Sequence, residues 1–456
     1  MDTAPLHAED GEDAPALPPR LAGEQAARTV ETSGWRGVFA SSTGGLPAPF
    51  WWLWLGTLVN RAGTFIEPFF VLYLTGPRHV SVRTAGVILA VWGVGSVLSQ
   101  PIGGFLTDRF GRRTTLAASL GATSMTLFTL SFARSLFLIG ILVLVLGTVA
   151  DMYRPASTAA VADLVPEADR ARAYALGFWA VNLGFSVAAA SAGVLLHLGF
   201  GLLFILDAST TLAFGLLALS FVPETKPVTD HPAARLGDPV RLLRADRLLL
   251  VATLLVFCYA VLYSQVYVTL PLAITHAGLD ASVYGYVIAI NGVLIVLGQP
   301  LTLGWLGRIS HRIAWPGGMA LVGTGVAATA LCERPWQFAV TVAVWTVGEI
   351  GTAGSFQALI AALAPSHMRG RYAGALGLAW GASGLLGPLL GAAGFALSTA
   401  VLWSGCLALG LLTAAGQFWL LGQVDRRPGL LGGGGLQVGA AGHDEAAAGQ
   451  DGVDQH

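Results

Sequence analysis

Gly104-Phe105-Leu106-Thr107-Asp108-Arg109-Phe110-Gly111-Arg112-Arg113 lies between two long apolar runs. Those ten residues put a carboxylate, three guanidiniums and two glycines into a connection with room only for a tight turn at a membrane surface. A diluted copy follows 199 residues later. Gln100-Pro101, ahead of the turn, is answered by Gln299-Pro300, and Arg109, Arg112 and Arg113 are answered by Arg308, His311 and Arg312. The correspondence continues downstream. Leu164-Val165-Pro166, followed by Arg170 and Arg172, matches Leu363-Ala364-Pro365, followed by Arg369 and Arg371, and Gly177 and Gly184 match Gly377 and Gly384. Matches that keep register at successive polar junctions mark a duplicated unit. Parallel repeats of this kind imply two halves related by an axis along the membrane normal.

Water cannot be the main solvent of this chain. It is 54% hydrophobic and 11% charged, with mean hydropathy +0.67, where soluble domains carry roughly 25% charged residues. Twelve apolar runs are long enough to cross a hydrocarbon core of about 30 Å. Runs 1 to 6 fall near 50–75, 84–106, 114–132, 136–160, 174–196 and 201–222; runs 7 to 12 fall near 248–274, 283–306, 314–332, 337–363, 373–396 and 400–421. None shows the period-two alternation of a membrane β-barrel. The 59 glycines and 22 prolines are tolerated in membrane helices, where glycine permits close packing. The expected fold is an all-α membrane protein of twelve transmembrane helices in two pseudo-symmetric six-helix bundles. The bundles are expected at 47–222 and 248–425, joined by a proline-bearing, basic connection at 223–247. Residues 1–46 and 426–456 read as disordered polar tails, the first without the apolar core of a signal peptide.

Lys and Arg are retained on the cytoplasmic side of a membrane. With the N-terminus inside, Arg109, Arg112, Arg113, Arg170, Arg172, Lys226, Arg235, Arg241, Arg244, Arg247, Arg308, Arg312, Arg369 and Arg371 all fall in inner connections. The outer ones hold Arg78, Arg83, Arg134 and Arg334. Both termini are therefore expected in the cytoplasm. A net charge of −1 argues against a nucleic-acid partner. Cys258, Cys332 and Cys406 have no CxxC spacing and no histidine cluster beside them, so neither a disulfide framework nor a metal site is expected. The absence of a GxxxxGK loop excludes ATP as an energy source within this chain. The apolar runs contain no Gly-x-Ser-x-Gly elbow and no paired nucleophile and base, so neither enzyme activity nor a cofactor is expected.

Ionisable groups at helix centres cost at least about 2.5–3.5 kcal/mol on insertion scales and normally mark pathways or ion relays. They are few here: Arg61 and Glu67 in run 1, Asp151 and Arg154 in run 4, Asp207 in run 6 and Glu349 in run 10. Glu349 lies well inside its run between Gly348 and Gly351, with no cation within one turn. An unpaired carboxylate so placed is a candidate proton carrier; the alternative is a hydrogen-bonded link between helices. Asp151 and Arg154, three apart, share a helix face and can pair, either as a neutral packing unit or as a switchable pair that frees Arg154 when it opens. Pro155 removes a backbone donor beside them. Arg61 and Glu67, six apart, share no face and must find partners on other helices, Asp151 being one choice for Arg61. Asp207 reads as structural. Tyr263, Gln265 and Tyr267 in run 7 and Trp345 in run 10 are candidates to line a cavity, where flat rings hold lipophilic cations by stacking and cation–π contact. Helix packing accounts for these aromatics equally well.

From about residue 50 to 425 the chain resembles the major facilitator superfamily. Gly104, Leu106, Asp108, Arg109, Gly111, Arg112 and Arg113 match that family's signature between helices 2 and 3 position by position. Arg154 stands where proton-coupled members carry a functional arginine. The run Asp151-Met152-Tyr153-Arg154-Pro155-Ala156, with Ala162-Asp163-Leu164-Val165-Pro166 and Trp345 to Glu349, is similar to bacterial multidrug efflux members. The resemblance implies a monomeric secondary transporter of the inner (plasma) membrane in which runs 1, 4, 7 and 10 line a cavity. It implies proton-coupled export of a small amphipathic molecule, with Glu349, Asp151, Arg154, Arg61 and Glu67 as coupling candidates. It makes Gly104, Asp108, Arg109, Gly111, Arg112 and Arg113 a gating loop. In that gate Asp108 meets the start of run 11, and the cations meet an acidic residue at the inner end of run 4, for which Asp163 is the candidate. One feature departs from the pattern. Antiporters of the family usually carry a Gly-Pro motif in helix 5, whereas run 5 has no proline and Gly384, Gly387, Pro388 and Gly391 form such a pattern in run 11. A symporter or facilitator importing a nutrient therefore stays open, as does a sensor that does not transport.

Overall fold

The computed structural model describes residues 45–225, 243, 246–306, 310–352, 356, 359, 363 and 369–424. The predicted tails, apart from their innermost residues, lie outside the described residues. So do most of the 223–247 connection, with Lys226, Arg235, Arg241 and Arg244, Arg308 of the second loop copy, and the side chains of His311, Arg369 and Arg371.

Every regular element among the described residues is a helix. In the first six runs these are α1 (Ala48–Ala62), α2 (Ile66–Thr75), α3 (Val82–Phe110), α4 (Arg112–Phe132), α5 (Leu136–Ala150), α6 (Tyr153–Leu164), α7 (Arg170–Leu195) and α8 (Phe200–Phe221). The last six runs are α9 (Arg247–His276), α10 (Ser282–Leu306), α11 (His311–Ala327), α12 (Pro335–Thr352), α13 (Arg369–Leu397) and α14 (Thr399–Val424). Among the described residues nine runs are helical over a stretch long and apolar enough to cross a membrane, run 4 being counted across its break as Leu136–Leu164. The other three are run 1, split into α1 and α2; run 8, apolar over Ser282–Gly298; and run 10, which continues past Thr352 into residues not described. Run 1, read as one helix, is broken at 63–65, and run 4, where Pro155 predicts a kink, is broken at 151–152.

Local chemistry explains the helix ends. The Ser81 hydroxyl accepts the Thr84 N–H at 3.2 Å to start α3, and the Asp246 carboxylate accepts those of Leu248 and Leu249 at 2.9 and 3.3 Å to start α9. Asp280 does the same for α10 through Ser282, whose hydroxyl and amide hold the Asp280 carboxyl below the usual carboxylate range. Between α3 and α4 the chain reverses at Gly111, whose φ of +94° is costly for any residue with a Cβ. Away from the interior, Phe132, Phe137, Leu331, Leu412 and Phe418 are exposed. Such a surface suits lipid and would be a liability in water.

The first six runs meet the last six where α3 packs on α13, α7 on α10 and α2 on α9. Small residues make the first two seams possible. A Cβ on Gly93 would lie 2.1 Å from the Gly384 carbonyl oxygen, one on Gly285 2.7 Å from that of Ala189, and one on Gly292 2.0 Å from the Ser186 hydroxyl. In membranes, where apolar burial gives no drive between helices, such close backbone approach supplies the packing energy. These contacts all lie in the half of the helices remote from the Gly111 turn.

Candidate functional site

The break in run 1 is built by α8. Gly63, Thr64 and Phe65 are not helical, which leaves the Phe65 N–H with only the Gly63 carbonyl, two residues back at 2.8 Å, and takes the helical acceptor from the Ile66 N–H. Oδ2 of Asp207, only 5% exposed, accepts both at 3.1 Å. One helical turn on, the Thr211 hydroxyl accepts from the Asn60 amide at 2.9 Å. Thr210 fills the space beside Gly63, where a Cβ would sit 1.9 Å from its hydroxyl oxygen. Arg61 thereby ends α1 and Glu67 opens α2, a cation at a helix C-terminus and an anion at a helix N-terminus, both favoured by the helix dipole.

The break in run 4 has a different cause. Pro155 has no N–H to give the Asp151 carbonyl, so a continuous helix loses that bond, and the proline instead occupies the first turn of α6, where no intrahelical donor is needed. Asp151 and Arg154 stand at the break and pair at 2.6 Å, with the guanidinium 51% and the carboxylate 35% exposed. Arg61 takes Tyr153 in place of Asp151: its Nη2 donates to the Tyr153 hydroxyl at 2.6 Å, and the guanidinium stands 6.0 Å from the ring centroid. Its Nε is buried with no hydrogen-bond partner. Arg61, Glu67, Asp151, Tyr153 and Asp207 line one cavity of ≈ 60 Å³, room for about four to six waters at roughly 10–15 Å³ each.

Across from this cluster stands an aromatic wall with one carboxylate. Glu349 accepts from the Asn291 amide at 2.7 Å, and the same amide group donates to the Thr346 hydroxyl at 3.1 Å. No ion pair to Glu349 exists among the described residues. Gly348 lets α12 close on α11, since a Cβ there would meet the Gly318 carbonyl oxygen at 2.4 Å. Tyr259, Tyr263 and Tyr267 follow one another along α9 with ring centroids 6.0 and 5.7 Å apart. Tyr263 meets Trp345 edge-on at 6.4 Å and Trp380 at 6.1 Å. Tyr267 touches Phe185 of α7 at 6.4 Å and lies within electrostatic reach of Glu67, Glu349 and Arg61. Two cavity candidates lie deeper than that role requires. Trp345 is 3% exposed, and so is Gln265, whose amide donates to the carbonyls of Val261 at 2.9 Å and Gly387 at 3.3 Å and so ties α9 to α13.

At the loop, the Arg112 guanidinium meets Asp163 at 2.9 Å, and its backbone N–H donates to Glu224 at 2.7 Å. Gly111 makes room for that carboxylate, which a Cβ would meet at 2.3 Å. Thr225 donates to Asp163 at 3.0 Å, and Arg113 donates to the Leu219 carbonyl. Arg109 lies over the Phe110 ring at 5.7 Å, Asp108 is exposed, and nothing stands within 4 Å of a Cβ on Gly104. The start of run 11, where Asp108 was expected to dock, is described only in part. Glu224, Asn291 and Asp207 were not singled out as site residues. Asp207 alone carried a signal, a charge within an apolar run.

Comparison with known proteins agrees with this architecture. The sequence profile of the Major Facilitator Superfamily matches residues 53–388. The chain is 28% identical to the uncharacterized MFS-type transporter YhjO of Bacillus subtilis, over 73% of this chain and 83% of that one. It is 22% identical to a Na(+), Li(+), K(+)/H(+) antiporter of Planococcus maritimus, over 73% and 85%, and 27% identical to the class C tetracycline resistance protein of Escherichia coli, over 70% and 82%. A solved POT family transporter in complex with 5-aminolevulinic acid superposes with a TM-score of 0.69 at 15% identity, over 84% of this chain and 97% of that one. With the loop signature, the helical architecture and a profile match over most of the helical region, this multi-pass membrane transporter belongs to the Major Facilitator Superfamily.

Proposed function

We propose that the protein is a proton-coupled antiporter that exports small amphipathic, drug-like molecules by alternating access. The observation that carries the reading is Glu349: a carboxylate in mid-run, without a cation partner among the described residues, held by one amide beside a wall of tyrosine and tryptophan rings. Such a group holds either a proton or the positive end of a substrate, and the exchange of one for the other is antiport. Opposite it, the Asp151–Arg154 pair, Arg61 and Glu67 complete the coupling set. Protonation of Asp151 would release Arg154. The antiporter and tetracycline-resistance relatives support the direction of transport. In this reading 47–222 and 248–425 are the two bodies that rock, 223–247 joins them in the cytoplasm with both termini, and the Asp108–Arg113 loop latches the inner side. The seam closed by Gly93 and Gly285 is then the outer gate. The chain works as a monomer in the plasma membrane and catalyses no covalent chemistry.

Uptake of a nutrient with protons is the second reading, favoured by the absence of a proline in α7. Inverted membrane vesicles carrying a proton gradient separate the two. Ethidium or tetraphenylphosphonium should enter wild-type vesicles and release lumenal protons to a pH dye, and Glu349→Gln should abolish both signals. If no cation of a broad panel moves protons and Glu349→Gln matches wild type, export with Glu349 as the carrier is wrong.

A further inference from the structure

We propose that Asp207 is the positioning residue that holds run 1 in two pieces and so places Arg61 and Glu67 on one cavity, and that the task requires a hydrogen-bond acceptor and no charge. Six residues along an unbroken helix turn through about 600°, which leaves two side chains about 120° apart around the axis. Arg61 and Glu67 nevertheless line the same cavity, because the chain leaves the helix between them. The break deprives two N–H groups of their helical acceptors, leaving Phe65 a tight bond to the Gly63 carbonyl and Ile66 no backbone acceptor, and unsatisfied backbone donors are not tolerated at membrane depth. In a continuous helix Phe65 and Ile66 would donate to the carbonyls of Arg61 and Ala62. Here a single oxygen of Asp207 takes both.

The rest of α8 is shaped to the same end. Thr210 occupies the room left by Gly63, and Thr211 fixes Asn60, one residue before Arg61. The two pieces of run 1 also differ in their neighbours. α1 packs on α7 and α8 within its own six runs, whereas α2, besides α3 and α8, packs on α9 of the other six. Asp207 therefore holds the point at which the part of run 1 that stays with its own bundle joins the part that touches the opposite one. The bearing on transport rests on the reading above; the pinning of the backbone does not.

Hydrogen–deuterium exchange of the purified full chain, read on peptides covering 62–67, tests the pin directly. Asp207→Leu should speed exchange of the Phe65 and Ile66 amides at least about tenfold, while Asp207→Asn, whose amide oxygen can still accept, should keep wild-type protection. If Asp207→Leu does not give a monodisperse protein, Asp207→Ala serves the same comparison. Ethidium flux in inverted vesicles should be retained by Asp207→Asn and lost in the apolar variants. Unchanged exchange in the apolar variants overturns the pin. Faster exchange with unchanged flux overturns its role in placing the coupling groups. Loss of flux in Asp207→Asn with protected amides shows that the charge itself is needed, and overturns the acceptor-only claim. A wild-type chain that moves no ethidium counts against the transport reading alone, and the exchange result still upholds or overturns the pin.

Discussion

Arg112 is buried at the membrane edge with its guanidinium on Asp163 and its backbone N–H on Glu224. Removing one partner of a buried pair costs far more than removing both, because an unpaired charge is left behind, typically about 3–5 kcal/mol. Asp163 is partly open, so Asp163→Ala should fall near the lower end, about 3 kcal/mol, and Arg112→Leu/Asp163→Ala should recover most of it. Thermal unfolding in detergent reads both, and a double variant no more stable than Asp163→Ala would show that the pair is not the source of the loss. Charges such as Arg112 and Asp163 were legible in the sequence because a polar group is conspicuous in an apolar chain and each sits at the end of a run. Glu224 was not, since 112 residues separate it from Arg112 and only the return of α8 beside α4 brings them together. Asn291 was invisible for another reason: a neutral amide in an apolar run has no signal until its carboxylate partner on α12 is known.

At the level of elements, hydropathy located all twelve runs and missed both breaks, because apolar content is the same on either side of a missing backbone bond. Pro155 hinted at the second break. Gly63-Thr64 between two opposite charges was the only hint of the first. Glycines were likewise too common to single out, yet a few decide the seams. At Gly93 the obstacle to a side chain is backbone, the Gly384 carbonyl at 2.1 Å, which cannot turn aside as a rotamer would. Gly93→Val should disfavour the closed seam by about 1–3 kcal/mol and shift the protein toward states in which α3 and α13 separate. Spin labels at Arg83→Cys and Ala400→Cys, with Cys258, Cys332 and Cys406 replaced, should report a longer-distance population that the Gly93 protein lacks. An unchanged distance distribution would mean that the seam absorbs the side chain.

For the molecule as a whole, alternating access requires that contacts now made at one end of the membrane be broken in the other state. Arg112 and Arg113 reach Asp163, Leu219 and Glu224, all on the first six runs or the start of the connection, so none of these bonds opposes separation of the bundles at the loop end. The bundles are instead joined along α3–α13, α7–α10 and α2–α9. A covalent bond across that joint should therefore arrest transport where one within a bundle would not. Val97 and Gly381 offer the geometry. A Cβ on Gly381 would stand 3.5 Å from that of Val97, at the short end of the roughly 3.5–4.5 Å that a disulfide spans. In a background without Cys258, Cys332 and Cys406, oxidation of Val97→Cys/Gly381→Cys should bring ethidium flux in inverted vesicles to background, and a reductant should restore it. Each single variant under the same oxidant controls for damage elsewhere. If the cross-linked protein, verified as disulfide-bonded by mass spectrometry, still transports at the uncross-linked rate, α3 and α13 stay together through the cycle, and the moving joint would have to lie at α7–α10 and α2–α9.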